Sequence, residues 1–156
     1  MITTPRFYAV FLITGCLLIM AATALAQPLH PFQRQYRPLI IFTPDLNDQR
    51  FRQQFTAIKE QQAGFYERDM LRIHVAGPPD NAVGLHAQPT PRITAEDVPT
   101  AADLRQYYSV KPEAFAVILI GKDGGEKARW TDLVSMDEIF TRIDAMPMRQ
   151  WEMQRR

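Results

Sequence analysis

Thiols are almost absent from this chain of 156 residues, whose single cysteine is Cys16. Cys16 lies in an apolar run near the amino terminus, and no cysteine follows it. Disulfide bonds, thiol nucleophiles and thiolate metal ligands are therefore excluded from everything after this run.

An excess of one charge sign is also lacking, since 18 Lys and Arg stand against 17 Asp and Glu. This balance provides no electrostatic attraction to nucleic acid or to an anionic membrane surface, so we expect a nucleic-acid partner to be absent. Hydrophobic residues make up 46% of the chain, which excludes a disordered composition and favours one globular domain.

Residues 7–25 form the one long apolar run, and they end in the small-residue pattern Ala24-Leu25-Ala26. This pattern predicts a signal peptide at residues 1–26 that is cleaved after Ala26, giving a periplasmic or secreted protein without membrane insertion. Two alternatives stay open: a lipoprotein attached at Cys16, or an uncleaved membrane anchor. Cleavage would remove Arg6 as well, leaving 17 residues of each charge sign.

The remaining chain divides by composition into three parts. Residues 27–37 contain two prolines and predict an irregular lead-in. Residues 38–146 carry the periodic patterns of a folded domain, interrupted by a predicted loop at 76–99 that holds five of the twelve prolines. Residues 147–156 begin with Pro147, and their sequence predicts a basic tail that frays from the last helix.

Within the domain, short apolar or alternating runs predict four strands, at residues 39–42, 70–75, 115–120 and 127–131. Amphipathic spacing predicts a helix from about residue 49 that ends at Gly64, a shorter helix at 100–108, and a last helix capped by Ser135. The order β-α-β-α-β-β-α predicts an α/β thioredoxin-like three-layer sandwich, with a mixed four-stranded sheet and helices on both faces.

Several segments resemble a bacterial family of domains of unknown function. They are residues 39–44, 103–110, 115–127 with Gly-Lys-Asp-Gly-Gly-Glu-Lys, and 143–149 with Met-Pro-Met-Arg. The family is similar to the peroxiredoxin-like domain of animal extracellular-matrix proteins of the sushi-repeat and coiled-coil-domain-containing kinds. The resemblance covers residues 37–153 and implies a peroxiredoxin-related, thioredoxin-like fold, without an established activity.

The chain departs from redox-active relatives at both of their chemical signatures. Their reactive cysteine follows the first of these strands, where residues 45–51 here contain neither Cys nor Ser. Their cis-proline would fall near Ala116, whereas this chain has Pro112 four residues earlier. Thiol oxidoreductase and peroxidase activity are therefore not expected, since both require a thiolate.

Four residues are candidates for a binding site. Thr43, Asp45 and Asp48 occupy the place of the missing cysteine, and either cap a helix or bind a ligand there. Trp130 either packs in the core or forms part of an aromatic binding surface. We predict no catalytic residue, no cofactor and no metal site, since His74 and His86 have no known ligand spacing.

These observations predict an exported, non-redox, thioredoxin-like domain that binds a protein partner as an accessory module of the cell envelope. The proline-rich loop at residues 77–99 is the predicted contact region. The alternative is an enzyme or small-ligand binder that uses polar groups near Thr43, Asp45 and Asp48.

Overall fold

The computed structural model describes residues 27–92 and 94–155. The predicted signal peptide, its cleavage site and Cys16 lie outside these residues. No helix in the described part of the chain has the length and apolar character needed to cross a membrane.

Five strands and five α-helices make up the domain. The strands are β1 (Arg37–Thr43), β2 (Met70–Ala76), β3 (Val83–Ala87), β4 (Ala116–Ile120) and β5 (Glu126–Trp130). The helices are α1 (Gln49–Glu60), α2 (Gln62–Glu67), α3 (Ala101–Tyr108), α4 (Met136–Asp144) and α5 (Pro147–Gln154).

The strands form one open mixed sheet in the order β3-β2-β1-β4-β5. β1 pairs in parallel with β2 and antiparallel with β4, while β3 and β5 pair antiparallel with their neighbours. The β2-β1-β4-β5 arrangement with α-helical connections is the predicted thioredoxin-like one, so the fold class is confirmed. The number of strands differs, since the sheet has five strands where four were predicted.

Alternation along the buried central strand divides the core into two layers. Ile40 and Phe42 face a cluster that includes Leu104 of α3 and the lead-in residue Phe32. Leu39, Ile41 and their neighbours on β4 face the other cluster, which is covered by α1, α2 and α4. Both faces of β1 are buried, which explains its continuous apolar sequence.

Three sequence predictions about local structure are wrong. Residues 76–99 are not all loop, because β3 lies within them and pairs with β2. Gly64 does not end a helix but lies inside α2, and α1 ends at Glu60 with Gln61 as its C-cap. Pro147 starts a new helix, since proline is well suited to a first helical position.

Candidate functional site

The polar groups after β1 are hydrogen-bonded within the turn that leads to α1. The Thr43 hydroxyl, fully buried, donates to the carbonyl of Asp45 at 2.7 Å. A carboxylate oxygen of Asp45 accepts from the amide of Asn47 at 2.6 Å. These two bonds shape the connection between strand and helix.

Asp48 caps α1. Its Oδ1 accepts from the amides of Arg50 at 2.8 Å and Phe51 at 3.3 Å, while its Oδ2 accepts from the Arg50 guanidinium at 3.0 Å. The hydrogen bonds from the Arg50 side chain and from both amides hold the pKa of Asp48 below its ordinary value. A ligand site at Thr43, Asp45 and Asp48 stays a prediction, since the bonds found here are structural.

Trp130 lies at the end of β5, opposite Val117 of β4, which itself pairs with Ile41 of β1. One strand therefore separates Trp130 from the Thr43 turn. The indole Nε1 donates to Glu138 at 2.7 Å, and the Arg142 guanidinium lies 5.7 Å from the ring centroid. Trp130 is half-buried between β5 and α4, and its role in binding stays a prediction.

Arg105 is a buried cation that the sequence analysis did not identify. Its Nη2 donates to the carbonyls of Thr43 at 2.7 Å and Val75 at 3.2 Å, and its Nη1 donates to Lys111 O at 2.7 Å. Burial lowers the pKa of this guanidinium. Arg105 thereby joins the carboxyl ends of β1 and β2 to the segment that precedes β4. The only sequence signal for this role is its place beside Leu104, which faces the core.

The segment at residues 77–99 contributes an edge strand to the sheet. The amide of Ala76 donates to the carbonyl of Ala82 at 2.9 Å, so these two residues form a hydrogen-bonded pair. Bonded and non-bonded pairs alternate in an antiparallel ladder. The N–H and C=O groups of Val83, Leu85 and Ala87 therefore point away from β2 and from the rest of the sheet.

The two edges of the sheet differ in charge. β5 carries Glu126, Lys127 and Arg129, and charged residues on an edge strand discourage pairing with another chain. β3 has the sequence Val-Gly-Leu-His-Ala, which contains no Asp, Glu, Lys or Arg. The edge at β3 is thus the one that a further strand can join.

The same segment also borders an acidic groove of about 670 Å³ between the lead-in and α3. Glu96, Asp97 and Asp103 line it together with Tyr107 and Pro28. Asp103 completes a capping box with Thr100, and hydrogen bonds from the Thr94 amide and hydroxyl hold the pKa of Asp97 below its ordinary value. The groove is therefore lined by three acidic side chains, of which Asp97 is held in its ionised form at neutral pH.

The histidines of β2 and β3 have protein partners of their own. His86 Nε2 lies 2.7 Å from the Tyr66 hydroxyl, and the His74 ring lies 5.6 Å from the ring of Phe51. Within residues 27–92 and 94–155, no three His, Cys, Asp or Glu side chains are grouped so that they could hold a metal ion.

Comparison with known proteins relates the chain to larger animal proteins. It is 28% identical over 130 residues to the sushi repeat-containing protein SRPX2 of Rattus norvegicus, covering 82% of this chain and 26% of that protein. It is also 28% identical over 127 residues to the sushi repeat-containing protein SRPX of Homo sapiens, covering 80% of this chain and 26% of that protein.

A shorter match joins 52 residues to the coiled-coil domain-containing protein 80 of Danio rerio at 40% identity, covering 33% of this chain and 6% of that protein. The chain thus spans about a quarter of the length of the sushi repeat-containing relatives it matches. No solved structure matches it. The resemblance to these proteins drawn from the sequence motifs is confirmed, and the match at residues 28–152 shows that the chain belongs to the family described as a domain of unknown function, DUF4174.

Proposed function

We propose that this protein is an exported, non-redox binding module, and that it holds an extended segment of a partner protein against the free edge of β3. The observation that carries the proposal is the edge strand at residues 83–87, which has no Asp, Glu, Lys or Arg and whose outward main-chain groups have no neighbouring strand among the described residues. Export is supported by the apolar run and the Ala-Leu-Ala pattern that precede the folded domain.

Strand addition suits this edge chemically. A partner strand would pair with the outward N–H and C=O groups of Val83 and Leu85, which are only partly buried, and such main-chain hydrogen bonds give affinity without requiring a particular sequence. Val83 and Leu85 are only partly buried against the α3-side core, so their side chains also offer apolar contact. The acidic groove beside this segment would favour a partner with basic residues next to the added strand.

The absence of thiol chemistry supports binding over redox catalysis. The site of the reactive cysteine in redox relatives is occupied by the Asp48 cap of α1. No cysteine occurs after Cys16, so the folded domain cannot form a mixed disulfide with a partner.

Site-specific photocrosslinking in the source cells tests the proposal. A photoreactive amino acid replaces His86, which is exposed on β3, and in a matched experiment it replaces Arg129 on β5. We expect one partner protein to crosslink from position 86 and not from position 129. Equal crosslinking from both edges, or crosslinking from β5 alone, would contradict the proposal.

The identified partner then allows a quantitative test with two variants of Val83. The Val83 amide points outward, so Val83→Pro removes a donor to the partner while the ladder to β2 is kept. Val83→Thr changes the side chain but retains the amide, and serves as the control. We expect Val83→Pro to bind about tenfold more weakly than Val83→Thr, in line with the loss of one main-chain hydrogen bond. Equal affinities would exclude strand addition at β3.

A further inference from the structure

A second concave site lies at the amino end of β1, which is separated from β3 by β2 in the sheet. It is a pocket of about 310 Å³ between β1, the β4–β5 turn and the start of α5. Its walls contain three cations, one carboxylate and an apolar side: Arg37, Lys122, Lys127, Asp123, and the sequence Met146-Pro147-Met148. We refer to it as the basic pocket.

Arg37 is the most buried of the three cations, with 1% of its surface exposed to solvent. Its Nη2 donates to Glu152 at 3.0 Å and its Nη1 donates to the carbonyl of Arg68 at 2.9 Å. The remaining donor, Nε, is buried without a hydrogen-bond partner. Arg37 therefore adds a buried positive charge to the lining of the basic pocket, with one donor that no described residue satisfies.

Lys122 adds a second buried ammonium to the pocket wall. Its Nζ donates to Asp69 at 2.8 Å and to Glu152 at 2.7 Å, which uses two of its three donors. Asp69 and Glu152 do not line the basic pocket, whereas Lys122 and Arg37 do. Among the residues that line the basic pocket, the three cations outnumber the one carboxylate, Asp123, which pairs with Lys127 at 2.6 Å, so the lining is positive overall.

The start of α5 reinforces this positive wall. Met146 is the N-cap of the helix and supplies no side-chain hydrogen bond to its first turn. The amides of an uncapped first turn carry the positive end of the helix dipole. Met146, Pro147 and Met148 at the same place provide apolar contact beside the charge.

We propose that the basic pocket binds a small organic monocarboxylate, with its carboxylate beside Arg37 and Lys122 and its apolar part against Met146 and Met148. A volume of about 310 Å³ lies at the small end of the range for ligand pockets. A single negative charge fits better than the two of a phosphate, because the carboxylate of Asp123 also lines the pocket. This site is additional to the partner edge at β3 and does not depend on it.

Titration of the whole chain with hexanoate tests the proposal, with hexanol as the uncharged probe and inorganic phosphate as the second anion. The readout is the NMR shift of the methionine methyl groups. We expect hexanoate to shift the methyls of Met146 and Met148 saturably below about 10 mM, and hexanol and phosphate to bind at least tenfold more weakly. No saturable shift, or equal or tighter binding of either control probe, would overturn the proposal.

Two variants locate the bound carboxylate. Lys122→Met removes a buried cation, and we expect at least a tenfold loss of hexanoate affinity. Because this variant also breaks ion pairs within the protein, Lys127→Gln at the exposed rim provides a change that the fold tolerates, with an expected loss of about threefold. Unchanged affinity in Lys127→Gln, measured on a folded protein, would place the ligand elsewhere and overturn the assignment.

Discussion

Single charged side chains fix the ends of several elements in this domain. Arg105 joins the carboxyl ends of β1 and β2 through main-chain carbonyls. Arg149, 1% exposed, donates to Asp144 at 3.1 Å and to Glu67 at 2.7 Å, so it joins α5 to α4 and α2. Asp48 accepts hydrogen bonds from the first amides of α1 and so fixes the start of that helix. We expect the replacement of any of these residues to change the stability of the domain.

The Asp48 cap predicts a stability change that is independent of any ligand. Asp48→Ala removes the acceptor for the first amides of α1 and should lower the free energy of unfolding by about 1 kcal/mol. Asp48→Asn keeps an acceptor oxygen and should retain most of that stability. Urea unfolding followed by circular dichroism measures both. Equal stability of Asp48→Ala and the parent would show that the cap contributes little.

At the scale of elements, the pairing of β3 with β2 places the His74 imidazole over Gly84. Gly84 pairs with His74 of β2, and a Cβ at position 84 would lie 2.1 Å from the imidazole. Gly84→Ala should therefore lower the free energy of unfolding by about 1–3 kcal/mol through overpacking. The cost should be at least about 1 kcal/mol smaller when His74→Ala is also present. A double-mutant cycle from urea unfolding measures this coupling, and additive effects would contradict the register of β3.

Helix α5 is held by ion pairs of the buried Arg149, although its sequence predicted a frayed tail. Arg149→Met removes charged hydrogen bonds to Asp144 and Glu67 and should lower the free energy of unfolding by about 2 kcal/mol. Trp151→Ala on the same helix is the control, since Trp151 is 66% exposed and should change stability by less than about 0.5 kcal/mol. A larger effect from Trp151 than from Arg149 in urea unfolding would show that apolar contact holds α5.

Strong local patterns made part of this structure predictable. The apolar run of β1 and the Ser135 cap of α4 each formed the expected element. β3 was not predicted because the flanking prolines and Gly84 are typical of a loop. The strand forms through its pairing with β2, which the local sequence does not indicate. The edge position of β3 and the burial of Arg37 are also set by residues distant in sequence. Local composition therefore could not reveal the two binding surfaces proposed.

At the scale of the whole molecule, the ion pairs that hold α5 make stability depend on pH. Burial opposes ionisation of Asp144 and Glu152, but hydrogen bonds from Arg68 and Arg149 to Asp144, and from Arg37 and Lys122 to Glu152, outweigh it. Both pKa values are therefore below their ordinary values of 3.8 and 4.5. Their contribution is present above those ordinary values and is lost as pH falls through the lowered ones.

The free energy of unfolding should therefore be larger at pH 7 than at pH 3, and Glu152→Gln should reduce that difference. Urea unfolding at a series of pH values measures both effects. A Glu152→Gln variant with the same pH dependence as the parent would show that folding does not lower the pKa of Glu152.

The proposed function depends on whether β3 accepts another strand. Hydrogen–deuterium exchange of the domain, alone and with its crosslinked partner, measures this directly. We predict that the outward amides of Val83 and Leu85 become protected on binding, while the amides of the opposite edge strand β5 exchange as before. Unchanged exchange at these two amides in a saturated complex would contradict strand addition at β3.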